Sequence, residues 1–180
     1  MQTDDLRKRL TPDVLRKILS ENWFSHDSRW FLKVSAEYGF EVGNRLNQIT
    51  LKSMARTEMR RLLEATGCGE IESGEDFARV VELALGVYFP PPMLEGEART
   101  ISHDSVTGVI TRCLVFDEVR KAGIIGIYEC ACGYRHEGWL EACGLRGEVK
   151  IGKSMMRGDP QCEIAVTSIS RLPGGGEDGE

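Results

Sequence analysis

No apolar run in this chain approaches the roughly 18–20 residues that a membrane-spanning helix needs, so no membrane partner is expected. The opening residues Met1-Gln2-Thr3-Asp4-Asp5 lack the apolar core of an export signal. A basic excess is missing too: 23 Lys and Arg stand against 28 Asp and Glu, a net charge of −5. Nucleic acid favours a basic surface and is therefore not an expected partner. Gly67-Cys68-Gly69 lacks the Lys and Ser/Thr of a P-loop, so no phosphate cradle is expected there. Histidine is scarce, at three residues. What remains is the composition of a soluble globular protein, 41% hydrophobic and 28% charged over 180 residues. That length suits one domain with a core that needs no disulfide staples. With no export signal, the six cysteines are expected to be reduced thiols in a cytoplasmic protein.

The first half has helical periodicity. Thr11-Pro12-Asp13 is a start signal, a capping hydroxyl followed by Pro at the first helical position. Leu15, Ile18 and Leu19 continue it. His26-Asp27-Ser28 is expected to open a second helix through Trp30, Phe31 and Val34, ending near Gly39. Val42, Leu46, Ile49, Met54, Met59 and Leu63 predict a third helix up to Gly67. A fourth begins at Ser73, and Pro90-Pro91-Pro92 stops it.

The second half turns β-rich. Strands are expected at Arg99–Ser102 and Val106–Phe116, around a turn at His103-Asp104-Ser105, and again at Glu148–Met156 and Cys162–Ile169. Between the pairs, Val119 to about Ala142 reads as one long helix, imperfect because it carries Gly123, Gly126, Gly133 and Gly138. The expected class is α+β: N-terminal helices, then a mainly antiparallel four-stranded sheet with one long inserted helix. One domain is expected over 1–172, with a helical half at 5–89 and a sheet half at 96–171. The glycine-rich, acidic stretch 173–180 is expected to be a disordered tail.

Chemistry concentrates in the last third. Cys132 and His136 are four residues apart and share one helical face. Thiolate and imidazole are both good ligands for zinc or iron, the two cofactor candidates. Cys143 lies on the same face, but helical rise puts it roughly 16 Å from Cys132. One ion reaches both only if the helix breaks, and Gly138 is the expected break. Cys162 is the further candidate ligand. Cys130-Ala131-Cys132-Gly133 has the wrong spacing for a two-residue-gap zinc knuckle or thioredoxin motif. Buried thiols also serve as small apolar filler, and Cys130 reads mainly that way. A thiol with a lowered pKa beside a histidine is alternatively a nucleophile, so Cys132 and His136 are also the catalytic candidates.

His26 and Asp27 sit among Trp23, Phe24, Trp30 and Phe31. An imidazole bordered by aromatics suits a pocket wall. The simpler alternative is a capped helix with core aromatics. Arg56, Arg60 and Arg61 interleave with Glu58 and Glu64 and read as a salt-bridged face.

Two segments carry a resemblance. Residues Asn22 to Phe31, followed by Glu37-Tyr38-Gly39-Phe40-Glu41-Val42-Gly43, resemble the N-terminal helices of an uncharacterised family similar to L-2-amino-thiazoline-4-carboxylic acid hydrolases. Met156-Arg157-Gly158-Asp159-Pro160-Gln161-Cys162-Glu163-Ile164 resembles the closing hairpin of the 4-vinyl reductase type of ligand-binding domain. The resemblance implies an α+β fold with a small-molecule pocket, often for hydrophobic ligands, and metal binding through late cysteines. Cys132, Cys143 and Cys162 match that arrangement best. Met155 or Met156 stands where those domains carry a further Cys.

Three functions follow as expectations. The first is a small-molecule-binding domain, metal-assisted through Cys132, His136, Cys143 and Cys162, with its ligand between His26 and Trp30 on one helix and Trp139 on the thiol-bearing helix. The second is a hydrolase of a small cyclic amide or thiazoline-like compound, using a Cys or a metal-bound water. The third is an interaction module that forms a homodimer.

Overall fold

The structure is a computed structural model and describes residues 3–172, so the expected tail at 173–180 lies outside the described residues. Four helices come first: α1 (Thr3–Arg7), α2 (Pro12–Tyr38), α3 (Phe40–Thr66) and α4 (Gly74–Tyr88). Strands β1 (Leu94–Ser102) and β2 (Ser105–Cys113) follow, then helices α5 (Leu114–Lys121) and α6 (Cys132–Ala142), then β3 (Leu145–Lys153) and β4 (Cys162–Arg171). The α+β class holds, with a four-stranded sheet ordered β1-β2-β4-β3 and antiparallel at every pairing. Packing divides the chain into two compact units, Met1–Gly43 and Asn44–Glu180. The division falls inside the half expected as helical.

In the first unit the expected start at His26 is absent, because α2 runs unbroken through it. Thr11 caps the helix, accepting from the Val14 amide at 3.3 Å with Pro12 behind it. No Gly or Pro interrupts the chain between Pro12 and Gly39. The polar run is absorbed by short bonds: the Ser28 hydroxyl and the Arg29 guanidinium both donate to the Ser25 carbonyl. Only Phe31 and Ser35 of α2 are buried, and Phe31 meets Phe40 edge-on, ring centres 6.1 Å apart.

The second unit holds the sheet. Ser73 caps α4, and its hydroxyl donates to Asp76 at 2.8 Å. The apolar face of α4, Phe77, Ala78, Val81 and Ala84, joins Met59, Trp139, Leu140, Leu145 and Val166 in one buried cluster. Gly74 is small for a reason: a Cβ there would lie 2.9 Å from the His103 carbonyl oxygen at the β1–β2 turn.

The expected long helix is two helices. α5 stops at Ala122, and Gly123 takes a left-handed φ of 70° that ends it. Residues 122–131 are irregular, and the second helix starts at Cys132. Gly138, the expected break, lies within an intact α6. There it permits close approach to α3: a Cβ would sit 2.8 Å from the Ala55 methyl and overlap the Lys52 carbonyl oxygen. Leu114, Val115 and Phe116, expected to end a strand, form the first turn of α5. Residues 154–156, expected to end a strand, form a turn: the Ser154 hydroxyl accepts from the Met156 amide, and a short 3₁₀ turn follows.

Candidate functional site

Four of the six cysteines lie near one end of the sheet. Cys113 ends β2, Cys162 begins β4 opposite Ile110, and Cys130 and Cys132 flank the start of α6. Cys113, Cys132 and Cys162 pack on one small apolar core of Ile110, Met155 and Ile164. All six cysteines are free.

Within this group Cys130 and Cys132 form a pair, their sulfurs 3.2 Å apart in a hydrogen bond. That bond separates their proton affinities. It holds the Cys130 thiol down to about 7, against burial and with help from the Cys132 amide and the Arg135 guanidinium. The same bond, with burial, pushes Cys132 well up. Burial pushes Cys113 up to about 11 and raises Cys162, although the Met155 amide donates to the Cys162 sulfur at 3.4 Å. The thiolate character of the cluster therefore concentrates on Cys130.

The loop that delivers Cys130 is anchored from α3. Buried Asn44 donates to the Ile127 carbonyl at 2.8 Å and accepts from the Glu129 amide at 3.1 Å. Gln48 donates to Glu129 at 3.0 Å. Helix α6 is bound to α3 further along. Arg135 donates to both carboxylate oxygens of Glu58 at 2.7 Å, and Trp139 donates to the same carboxylate at 3.2 Å. Lys52 pairs with Glu137 and Glu141, and Arg56 pairs with Glu141.

Cys132 and His136 share a face as their spacing requires, but their bond does not involve the thiol. His136 Nδ1–H donates to the Cys132 carbonyl oxygen at 2.8 Å. The imidazole is buried beside Trp139, ring centres 5.2 Å apart, and burial lowers its pKa, favouring the neutral form. Cys143 caps the far end of the unbroken α6, roughly 16 Å from Cys132 by helical rise, and burial pushes its thiol up to about 12. The proposed ligand set Cys132, His136, Cys143 and Cys162 thus does not converge on one ion. Among the described residues, no group of three or more His, Cys, Asp or Glu is arranged to hold a metal. Trp139 is fully buried in the core. His26 is exposed and Trp30 half-buried on α2, in the first unit.

Sequence reasoning missed Cys113 and Asn44 and set Cys130 aside. The available signal was Cys-x-Cys immediately before a helix start, obscured by running that helix back to Val119. A second feature is an open groove of ≈ 380 Å³ beside α6 and β3. Leu140, Leu145, Val149 and Leu172 supply its apolar wall, and Lys52 and Glu141 its charged rim. Its volume falls within the ~300–1,000 Å³ of small-molecule pockets.

No protein-family model matches the chain, and no curated protein matches it. Among solved structures it is similar to a trafficking protein particle complex subunit 3 from Naegleria fowleri, covalently bound to palmitic acid. The two share 18% identity and a TM-score of 0.60, over 88% of this chain and 99% of that one. The likeness shows a shared fold.

Proposed function

We propose that this protein is a binding module for a hydrophobic small molecule of the acyl-chain class, seated in the groove beside α6 and β3. The observation that carries the reading is the fold shared with a subunit that holds palmitic acid. The groove adds an apolar wall for a chain and Lys52 at the rim for a carboxylate head. Lys52 is already shared between Glu137 and Glu141, so the head group competes with those carboxylates. The reading includes a reducing, cytoplasmic setting, in which free thiols persist.

Palmitic acid added to the purified protein tests this. Binding to the folded state alone raises the melting temperature in proportion to the logarithm of ligand concentration. Native mass spectrometry should show one bound chain, and Val149→Trp, which fills the groove, should abolish both signals with circular dichroism unchanged. No shift and no bound mass at saturating palmitate would sink the reading.

A second reading, self-association, is favoured by the first unit. Leu10, Val14, Leu15, Ile18, Leu19 and Trp23 are all at least 40% exposed. A run of exposed apolar side chains at and along the start of α2 marks a contact surface, and a second copy presents a matching one. Light scattering should give twice the 20.1 kDa chain mass. Ile18→Glu with Leu19→Glu should halve it; a monomeric wild type removes this reading.

A further inference from the structure

The apposed sulfurs of Cys130 and Cys132 have chemical consequences of their own. Sulfurs 3.2 Å apart must approach by only about 1.2 Å to reach the ~2.05 Å of a covalent bond. They also sit at a helix start. Cys132 is the first residue of the eleven-residue α6, and no side chain caps that end. Helix-terminal amides need an acceptor, and the positive end of the helix favours an anion. The Cys130 sulfur lies just before that end, where the Cys132 amide and the Arg135 guanidinium one turn in both favour its anion.

We propose that Cys130 and Cys132 are a thiol–disulfide couple that exchanges with low-molecular-weight disulfides, Cys130 as the attacking sulfur and Cys132 as the resolving sulfur. This assignment stands on the pair's own geometry and is independent of the acyl-chain reading.

The roles follow from the two environments. Attack requires a thiolate at ambient pH, and Cys130 is the sulfur that its neighbours hold ionised. Cys132 remains a thiol until the first exchange removes the negative charge beside it. Both residues keep some exposed surface but their thiols are enclosed by the neighbouring core, so the substrate is a small disulfide that local opening of the 122–131 segment admits. The Asn44 clamp on Ile127 and Glu129 fixes the backbone one residue before Cys130. Cys113 and Cys162 are held protonated by burial, which keeps them out of the first step.

The exchange balances as follows. The Cys130 thiolate attacks one sulfur of a disulfide RSSR; a Cys130–SR bond forms, the S–S bond breaks, and RS⁻ leaves with the electron pair. The Cys132 thiol gives its proton to the departing thiolate. Its sulfur then attacks Cys130, the Cys130–Cys132 bond forms, and a second RS⁻ leaves and takes up the proton originally lost from Cys130. The protein is oxidised by two electrons, and RSSR is reduced to two RSH.

The test uses the full chain, reduced and then equilibrated with oxidised and reduced glutathione at a series of ratios. Peptide mass mapping should find the peptide carrying residues 130 and 132 lighter by two hydrogens, while Cys68, Cys113, Cys143 and Cys162 remain free. Cys132→Ser should stop at the mixed disulfide and accumulate one glutathione on Cys130. Cys130→Ser should slow reaction with oxidised glutathione at least tenfold, with circular dichroism confirming the fold. If that variant fails to fold, wild-type mapping and Cys132→Ser still decide the matter. Bridging of Cys130 to Cys113 or Cys162 overturns the proposal, as does glutathione settling on Cys68 with residues 130 and 132 left reduced. A Cys132→Ser protein that traps no glutathione on Cys130 overturns it as well.

Discussion

Asn44 and Glu129, far apart in sequence, are joined where the Glu129 amide donates to the Asn44 side-chain oxygen at 3.1 Å, and the other end of that side chain donates to Ile127. One buried side-chain amide thus pairs two backbone groups of the 122–131 segment, whose own backbone bonds are local turns. Asn44→Ala leaves the Glu129 amide and the Ile127 carbonyl without their partner, at a cost of about 1–3 kcal/mol for the two bonds together. Urea denaturation should read that loss, and hydrogen exchange should show faster opening of residues 127–131 with the sheet unchanged.

Cys130 should titrate apart from the other thiols. Below pH about 7 it is protonated and unreactive; above it the thiolate is present. Its alkylation rate by iodoacetamide should rise through that midpoint. Cys132→Ala removes the donor that stabilises the anion, so the midpoint should move up.

Glu58 carries three bonds from two residues of α6, both of which are largely enclosed. Glu58→Gln leaves the Arg135 guanidinium buried without its counter-charge. Breaking one side of such a pair costs about 3–5 kcal/mol. The double variant Glu58→Leu with Arg135→Met should recover part of that loss, read as a higher urea midpoint than the single change.

His136 makes stability depend on pH. Burial lowers its folded pKa below the ordinary value of 6.5, so the unfolded chain binds the extra proton first as pH falls. Stability is complete above 6.5 and declines as pH drops below it. Thermal melts across that range should show a decline that His136→Gln reduces.

Gly138→Ala places a methyl against Ala55 and the Lys52 carbonyl. Overpacking of this kind costs about 1–3 kcal/mol. Gly126, which has open space where its Cβ would stand, is the control, and Gly126→Ala should change stability by less than about 0.5 kcal/mol. Equal effects at the two positions would contradict the close approach of α6 to α3.

Local signals carried much of the fold. Thr11-Pro12 and Ser73 do mark helix starts, and the His103-Asp104 turn does join β1 to β2. Each depends on residues within a few positions, which a sequence displays directly. His26-Asp27-Ser28 misled because the same side chains that cap a helix bond equally well to the preceding turn inside one. The glycines between 123 and 138 have unlike reasons. Gly123 terminates a helix, whereas Gly138 makes room for another one, and composition alone does not separate these roles. For the thiols, spacing correctly put Cys132 and His136 on one face, but the hydrogen bond uses a carbonyl rather than the sulfur. The partner that matters, Cys130, is two residues away and was hidden by extending α6 backwards. Cys113 and Cys162 come together only through strand order, a long-range property.

Strand order also bears on how the sheet is made. β4, the last strand among the described residues, lies inside the sheet, between β2 and β3. β3 pairs with β4 alone, so it leaves the ribosome with nothing to bond along either edge. The β1–β2 hairpin can form early and wait, but the cysteine end of the sheet is assembled only when Cys162 arrives. Until then the growing chain carries unmatched edges and several thiols, the state in which nascent β proteins are most exposed to mispairing.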